Sequence, residues 1–151
     1  MAMKETEGSL RAYFLLAGAI AVLLALRDIS YLSHNNISTL TAGQKAALYI
    51  PIFTRILLGC GFVIAGLKLK SALLTGATWI KKLLMASGAA LFVNGALVTA
   101  EFDTEIRQSG IIGALIGLAV IAYLYRSVAR LAEEAAAKAG IAPPPPQAKV
   151  V

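Results

Sequence analysis

Long apolar runs alternate with short polar stretches along the whole chain. A helix needs roughly 20 residues to cross the hydrocarbon of a bilayer. Four apolar runs approach this length, at about 11–26, 51–70, 81–100 and 109–125. The pattern therefore predicts an all-α integral membrane protein built as a bundle of four transmembrane helices.

The sequence past the fourth run changes character. Residues 127–140 are rich in strong helix formers and predict a cytoplasmic helix that extends the bundle. Residues 141–151 include consecutive prolines, which are typical of a stiff spacer or docking segment. The predicted organisation is a polar N-terminal segment at 1–10, a transmembrane domain at 11–126, this helix and a proline-rich tail.

The start of the second run carries two opposing signals. Thr41 and Gln44 have the spacing of a capping box, which opens a helix. Pro51 disfavours helical backbone at the residue before it. We therefore expect a short interfacial helix at 42–49, a break near Ile50 and then the second transmembrane helix.

Composition and charge agree with a membrane protein. The chain is 15% charged, whereas soluble domains carry about 25% charged residues. Its formal net charge is +6, but the basic residues lie mainly at the ends of apolar runs, which argues against nucleic-acid binding. The second loop and the C-terminal end are basic and the third loop is acidic, so both termini are predicted to be cytoplasmic. A bacterial inner membrane is the expected location.

The chain has one cysteine, Cys60, and one histidine, His34. It therefore cannot form an intrachain disulfide, a CxxC redox pair or a bis-histidine haem site. The sequence also shows no pattern for a metal site, a nucleophile with its base or a phosphate-binding loop. Neither enzymatic activity nor a bound cofactor is predicted.

Arg55 is the one full charge inside a long apolar run. Because an arginine in the membrane costs about 2.5–3.5 kcal/mol on insertion scales, it is a candidate functional residue. With both termini on one side, Asp28, Arg55 and Glu101 come to the same side of the bilayer. We predict a structural ion pair of Arg55 with Asp28, with Glu101 as the second choice. A lipid or quinone head group is the alternative partner.

Small and polar residues inside the runs indicate helix packing. Small residues recur at helical spacing, which favours close helix contact: Ala17, Ala21 and Ala25 in the first run, and Gly110, Gly113 and Gly117 in the fourth. The third run contains Asn94. Its amide needs a partner within the bundle, because lipid offers none.

The second run also carries Arg55-x3-Gly59-x2-Phe62-x2-Ala65-Gly66, followed by lysines. This pattern resembles the first-span pattern of the DoxX-like small four-helix membrane proteins. The resemblance covers residues 55–70 and implies a link to quinone-dependent or redox membrane complexes. It also implies that Arg55 faces a quinone or a lipid head group.

Three functions follow from these observations. The preferred one is a non-catalytic accessory or scaffold subunit of a larger membrane complex, because the small-residue faces and the C-terminal helix and tail suit contact with other subunits or further copies. The alternatives are a quinone-linked redox subunit and a small oligomeric transporter or channel with a polar path through Arg55 and Asn94.

Overall fold

The computed structural model describes residues 2–35, 37–102 and 104–140. They form four helices, α1 (Ala2–His34), α2 (Ala42–Leu74), α3 (Thr78–Glu101) and α4 (Thr104–Lys138). Each contains a segment that is long and apolar enough to cross a membrane. The all-helical architecture with four such helices is therefore confirmed. The predicted proline-rich tail, 141–151, lies outside the described residues.

Every helix is longer than the apolar run that predicted it. α1 begins at Ala2, inside the predicted polar segment, and α4 continues without a break from Thr104 to Lys138. The connection between α2 and α3 shortens to residues 75–77. An apolar run marks only the part of a helix that lies in the hydrocarbon of the bilayer. The helix can continue beyond it, because its backbone hydrogen bonds form within the helix whether the side chains are polar or apolar.

The predicted helix break near Ile50 is wrong, because α2 continues through Pro51. The predicted capping box is present, with the Gln44 backbone N–H donating to Thr41 Oγ1 and the Thr41 N–H donating to Gln44 Oε1, each at 3.1 Å. The helix is thus already established before the proline removes one donor. Pro51 leaves the Ala47 carbonyl without its usual helical donor, and Thr54 donates its hydroxyl to the Ile50 carbonyl at 2.7 Å, a bond within the same helix.

The helices pack as two hairpins, α1 with α2 and α3 with α4. A buried core joins the hairpins at one end, which we call the closed end: α1 and α3 begin there and α2 and α4 end there. The core consists of Leu10, Phe14, Ala65, Leu69, Ala72, Leu73, Ala77, Ile80, Leu84, Leu124, Val128, Leu131, Ala132 and Ala135. Phe14 meets Phe62 edge to face, with 5.8 Å between ring centroids. Toward the opposite, open end the hairpins are separated by a cleft, and α2 and α3 meet again beyond it, where Glu101 lies against Gly43.

The last part of α4 belongs to this core. Val128, Leu131, Ala132 and Ala135 follow the i, i+3, i+4, i+7 spacing of an apolar helix stripe, and all four are buried. The segment predicted as a cytoplasmic extension is therefore helical and packs on the closed end of the bundle.

Candidate functional site

Three charged side chains meet at the open end. Asp28 of α1 accepts hydrogen bonds on Oδ1 from Nε and Nη2 of Arg27, at 3.2 and 2.9 Å, and on Oδ2 from Nη1 of Arg55 of α2. Two guanidinium groups thus share one carboxylate. We call these three residues the charged cluster. Its net charge is +1, because Asp28 neutralises one of its two cations.

The structure brings the predicted pair Arg55 and Asp28 together and places Glu101 elsewhere. Glu101, the last residue of α3, lies against the first turn of α2, where a Cβ on Gly43 would overlap its carboxylate. Gln44 donates from Nε2 to the Glu101 backbone carbonyl at 3.5 Å. A carboxylate beside a helix N-terminus interacts favourably with the helix dipole. Glu101 therefore supports the start of α2.

A cleft of about 740 Å³ separates the two hairpins next to the charged cluster. Its volume falls within the roughly 300–1,000 Å³ that is usual for small-molecule sites. Arg27 and Arg55 line its mouth, and Phe62, Ser87 and Ile121 line its floor beside the closed-end core. The rest of the lining is mainly small or apolar: Ala21, Leu24, Pro51, Thr54, Leu58, Gly59, Ala90, Leu91, Asn94, Gly95, Val98, Gly110, Gly113 and Ala114. The site is thus cationic at the mouth and apolar below.

The polar side chains that line the cleft differ in whether they have a hydrogen-bond partner. Thr54 donates to the Ile50 carbonyl at 2.7 Å, and Ser87 donates to the Leu83 carbonyl at 2.8 Å, so both bond to their own helix. The Asn94 side chain lines the cleft and has no hydrogen-bond partner among the described residues. The expected interhelical bond is not found there, because at this level the second hairpin stands away from the first.

The glycines of α4 differ in how closely they pack on α3, and two of them, Gly110 and Gly113, line the cleft. An added Cβ would come within 2.9 Å of Val98 at Gly110 and within 2.7 Å of Leu91 at Gly117, so both glycines pack on α3. At Gly113 an added Cβ would meet nothing within 4 Å. The GxxxG pair therefore does not form one continuous interface, since Gly113 opens into the cleft.

The alanines predicted on α1 also face different surroundings. Ala25 is fully buried, and the Ala21 methyl group lies 3.2 Å from a Cβ built on Gly59 of α2. Ala17 instead lines a groove between α1 and α4, together with Tyr123. Ala21 and Ala25 thus lie in packed surroundings, whereas Ala17 faces α4.

The closest approach of α1 to α2 occurs at glycines that sequence reasoning did not select for packing. A Cβ on Gly18 would lie 2.6 Å from the Gly59 carbonyl oxygen, and a Cβ on Gly66 would lie 3.2 Å from the Arg11 carbonyl oxygen. Gly59 and Gly66 are seven residues apart and so share a helix face, a signal present in the sequence. Backbone contact at these positions holds the first hairpin together.

The arrangement suits an elongated molecule with a polar head at the charged cluster and an apolar body between the hairpins.

No protein family, curated protein or solved structure matches this chain.

Proposed function

We propose that this chain is a non-catalytic accessory subunit of a larger membrane complex, and that its cleft holds an amphipathic molecule of the bilayer. The cleft carries this proposal. It lies between helices that are long and apolar enough to span a membrane, and cations stand at its mouth. From Arg55 to Phe62 it extends seven residues along α2, or about 10 Å. A polar head and the adjoining apolar segment of a lipid-like molecule match this division.

The proposed orientation has the closed end in the cytoplasm of a bacterial cell and the open end on the outer side of its inner membrane. The closed end carries most of the basic residues that flank the spans, namely Lys68, Lys70, Lys81, Lys82 and Arg126. Cytoplasmic flanks are rich in lysine and arginine, which supports this orientation. Both ends of the described chain then lie inside.

A quinone-linked redox subunit is the second candidate. Its support is that Arg55, the residue through which the second run resembles the DoxX-like proteins, lines the cleft. A quinone has a polar ring and an apolar tail and would use the same division of the site. The two candidates therefore differ in the occupant and in the other subunits of the complex.

A transporter or channel subunit is the third candidate. Arg55 and Asn94 line the same cleft, as a polar path through both would require. However, the buried apolar core lies between the cleft floor and the closed end. A polar path would therefore have to run between copies of the chain.

Co-purification separates these candidates. The full chain carries a small affinity tag, is extracted from membranes of its own host in mild detergent, and is analysed by mass spectrometry. We expect other membrane subunits in a fixed ratio, absent from a control purification of an unrelated tagged four-helix membrane protein. A dehydrogenase or cytochrome among them favours the redox candidate. Recovery of the chain alone contradicts the accessory-subunit proposal, and recovery of a homo-oligomer favours the transporter.

A further inference from the structure

We infer that the cleft binds one anionic phospholipid of the bilayer, with its phosphodiester on Arg27 and Arg55 and part of an acyl chain between the hairpins. This inference rests on the cleft of the proposed function and names the amphipathic molecule. It does not depend on the existence of a larger complex.

The charged cluster keeps donors for a further anion. A guanidinium has five N–H donors, and the bonds to Asp28 use two from Arg27 and one from Arg55. The Arg27 and Arg55 side chains are 73% and 43% exposed, and both line the mouth of the cleft. Asp28 orients the two guanidinium groups and neutralises one of their two positive charges, so one remains. A net charge of +1 complements the single negative charge of a phosphodiester, which arginine binds through two parallel hydrogen bonds.

The charged cluster also lies at the level where a head group is expected. Arg27 directly follows the apolar run of α1, and Arg55 lies about one turn after Pro51, where the apolar run of α2 begins. The ends of such runs mark the boundary between hydrocarbon and head groups. A phospholipid beside the protein would therefore already present its phosphate at this depth.

The walls of the cleft leave room for a hydrocarbon chain. Small residues from all four helices face it, including Ala21, Gly59, Ala90 and Gly113. At Gly113 a Cβ would still meet nothing within 4 Å. The depth of about 10 Å is roughly a third of the hydrocarbon thickness. The cleft thus accommodates the part of an acyl chain nearest the head group.

Charge favours an anionic lipid over a zwitterionic one. A zwitterionic head group brings a cation close to its phosphate and therefore close to Arg27 and Arg55. A phosphatidylglycerol head group lacks that cation, so its phosphodiester meets the net positive cluster without an opposing charge. The expected selectivity follows from this difference alone, because the acyl chains can be identical.

Lipid titration monitored by native mass spectrometry tests the inference. The delipidated full chain in detergent is titrated with phosphatidylglycerol or with phosphatidylcholine of the same acyl chains. We expect one tightly bound phosphatidylglycerol per chain, with affinity about tenfold or more above that for phosphatidylcholine, because the choline cation is repelled by the net positive cluster. Equal binding of the two lipids would overturn the inference.

Two kinds of variant locate the lipid. Arg27→Gln and Arg55→Gln remove a cation at the mouth, with Arg126→Gln as the control at an exposed closed-end arginine. Gly113→Leu fills the cleft and leaves the charged cluster intact, with Ala122→Leu as the control at an exposed position of the same helix. We expect each cleft variant to lose about tenfold in phosphatidylglycerol affinity and each control to bind normally.

The Gly113→Leu variant tests the position of the lipid even if an arginine variant fails to fold. Unchanged phosphatidylglycerol binding by a folded Gly113→Leu variant would show that the lipid binds elsewhere, and the inference would be wrong. Cross-linking of Gly113→Cys to a partner subunit would show that a protein segment occupies the cleft instead. Recovery of the chain without other subunits, with selective lipid binding intact, would refute the accessory role and leave this inference standing.

Discussion

Asp28 and Arg55 are 27 residues apart in sequence, and the α1–α2 hairpin brings them into direct contact at the open end. The Asp28 side chain is 26% exposed, and it binds Arg27 as well. Exposed ion pairs contribute about 0.2–1 kcal/mol to stability. The main consequence of this contact is therefore positional, since it holds two guanidinium groups at the mouth of the cleft.

The contribution of this pair to stability is measured by a double-mutant cycle of Asp28→Asn and Arg55→Gln. We expect a coupling energy of no more than about 1 kcal/mol from thermal unfolding in detergent, because both side chains are partly exposed. Arg130 and Glu134, an exposed pair on α4 outside the cleft, serve as the comparison. A coupling of several kcal/mol would show that the pair is buried more deeply than this structure has it.

Two glycine-to-alanine substitutions compare the hairpin interface with the cleft. Gly18→Ala places a methyl group 2.6 Å from the Gly59 carbonyl oxygen, and such overpacking costs about 1–3 kcal/mol. Gly113→Ala meets nothing within 4 Å and should be neutral or slightly stabilising, because alanine favours a helix by up to about 1 kcal/mol. Thermal unfolding of the two variants checks this difference. Equal destabilisation would contradict it.

Removing the capping hydroxyl at Thr41 should weaken the start of α2. We expect Thr41→Val to lower the free energy of unfolding by about 0.5–2 kcal/mol, since the Gln44 N–H loses its acceptor. Thr78→Val is the matched control, because α3 begins there without a side-chain cap. If both variants unfold at the same temperature as the parent chain, the capping box does not stabilise the helix.

Orientation in the membrane is tested by labelling single cysteines in a Cys60→Ala background. Ser33→Cys lies at the open end and Ala137→Cys at the closed end, and both positions are exposed. We expect a membrane-impermeant maleimide to label Ser33→Cys in intact cells and Ala137→Cys after lysis only. The reverse labelling pattern would show that the proposed orientation is wrong.

Apolar run length and the capping signal were enough to predict the number of helices and the start of α2. The helix break expected from Pro51 is wrong because proline disfavours helical backbone only at the residue before it. Here α2 is already formed from its cap at Thr41, ten residues earlier, and continues through Pro51. The proximity of Asp28 and Arg55 could be predicted because two antiparallel helices joined by a loop place their adjoining ends side by side. This inference needs topology alone.

The cleft could not be predicted from the sequence. Gly110 and Gly113 are three positions apart on α4 and both line the cleft, yet only Gly110 also packs on α3. The open space beside Gly113 depends on how the two hairpins are placed relative to each other, and the sequence pattern does not determine this placement. The same holds for Asn94. The sequence indicated that its amide needs a partner, but not that it lies beside an open space.

The separation of the hairpins across the cleft is tested most directly by oxidative cross-linking of cysteine pairs in membranes, in a Cys60→Ala background. A Cβ on Gly95 would lie 3.2 Å from the Ala114 methyl group. Gly95→Cys with Ala114→Cys should cross-link within the second hairpin, because a shift of a few tenths of an ångström reaches the Cβ separation of about 3.5–4.5 Å that disulfides adopt. Ala21→Cys with Gly113→Cys spans the cleft and should remain reduced. Rapid cross-linking of the spanning pair would show that the hairpins close on each other, and the account of the cleft would be wrong.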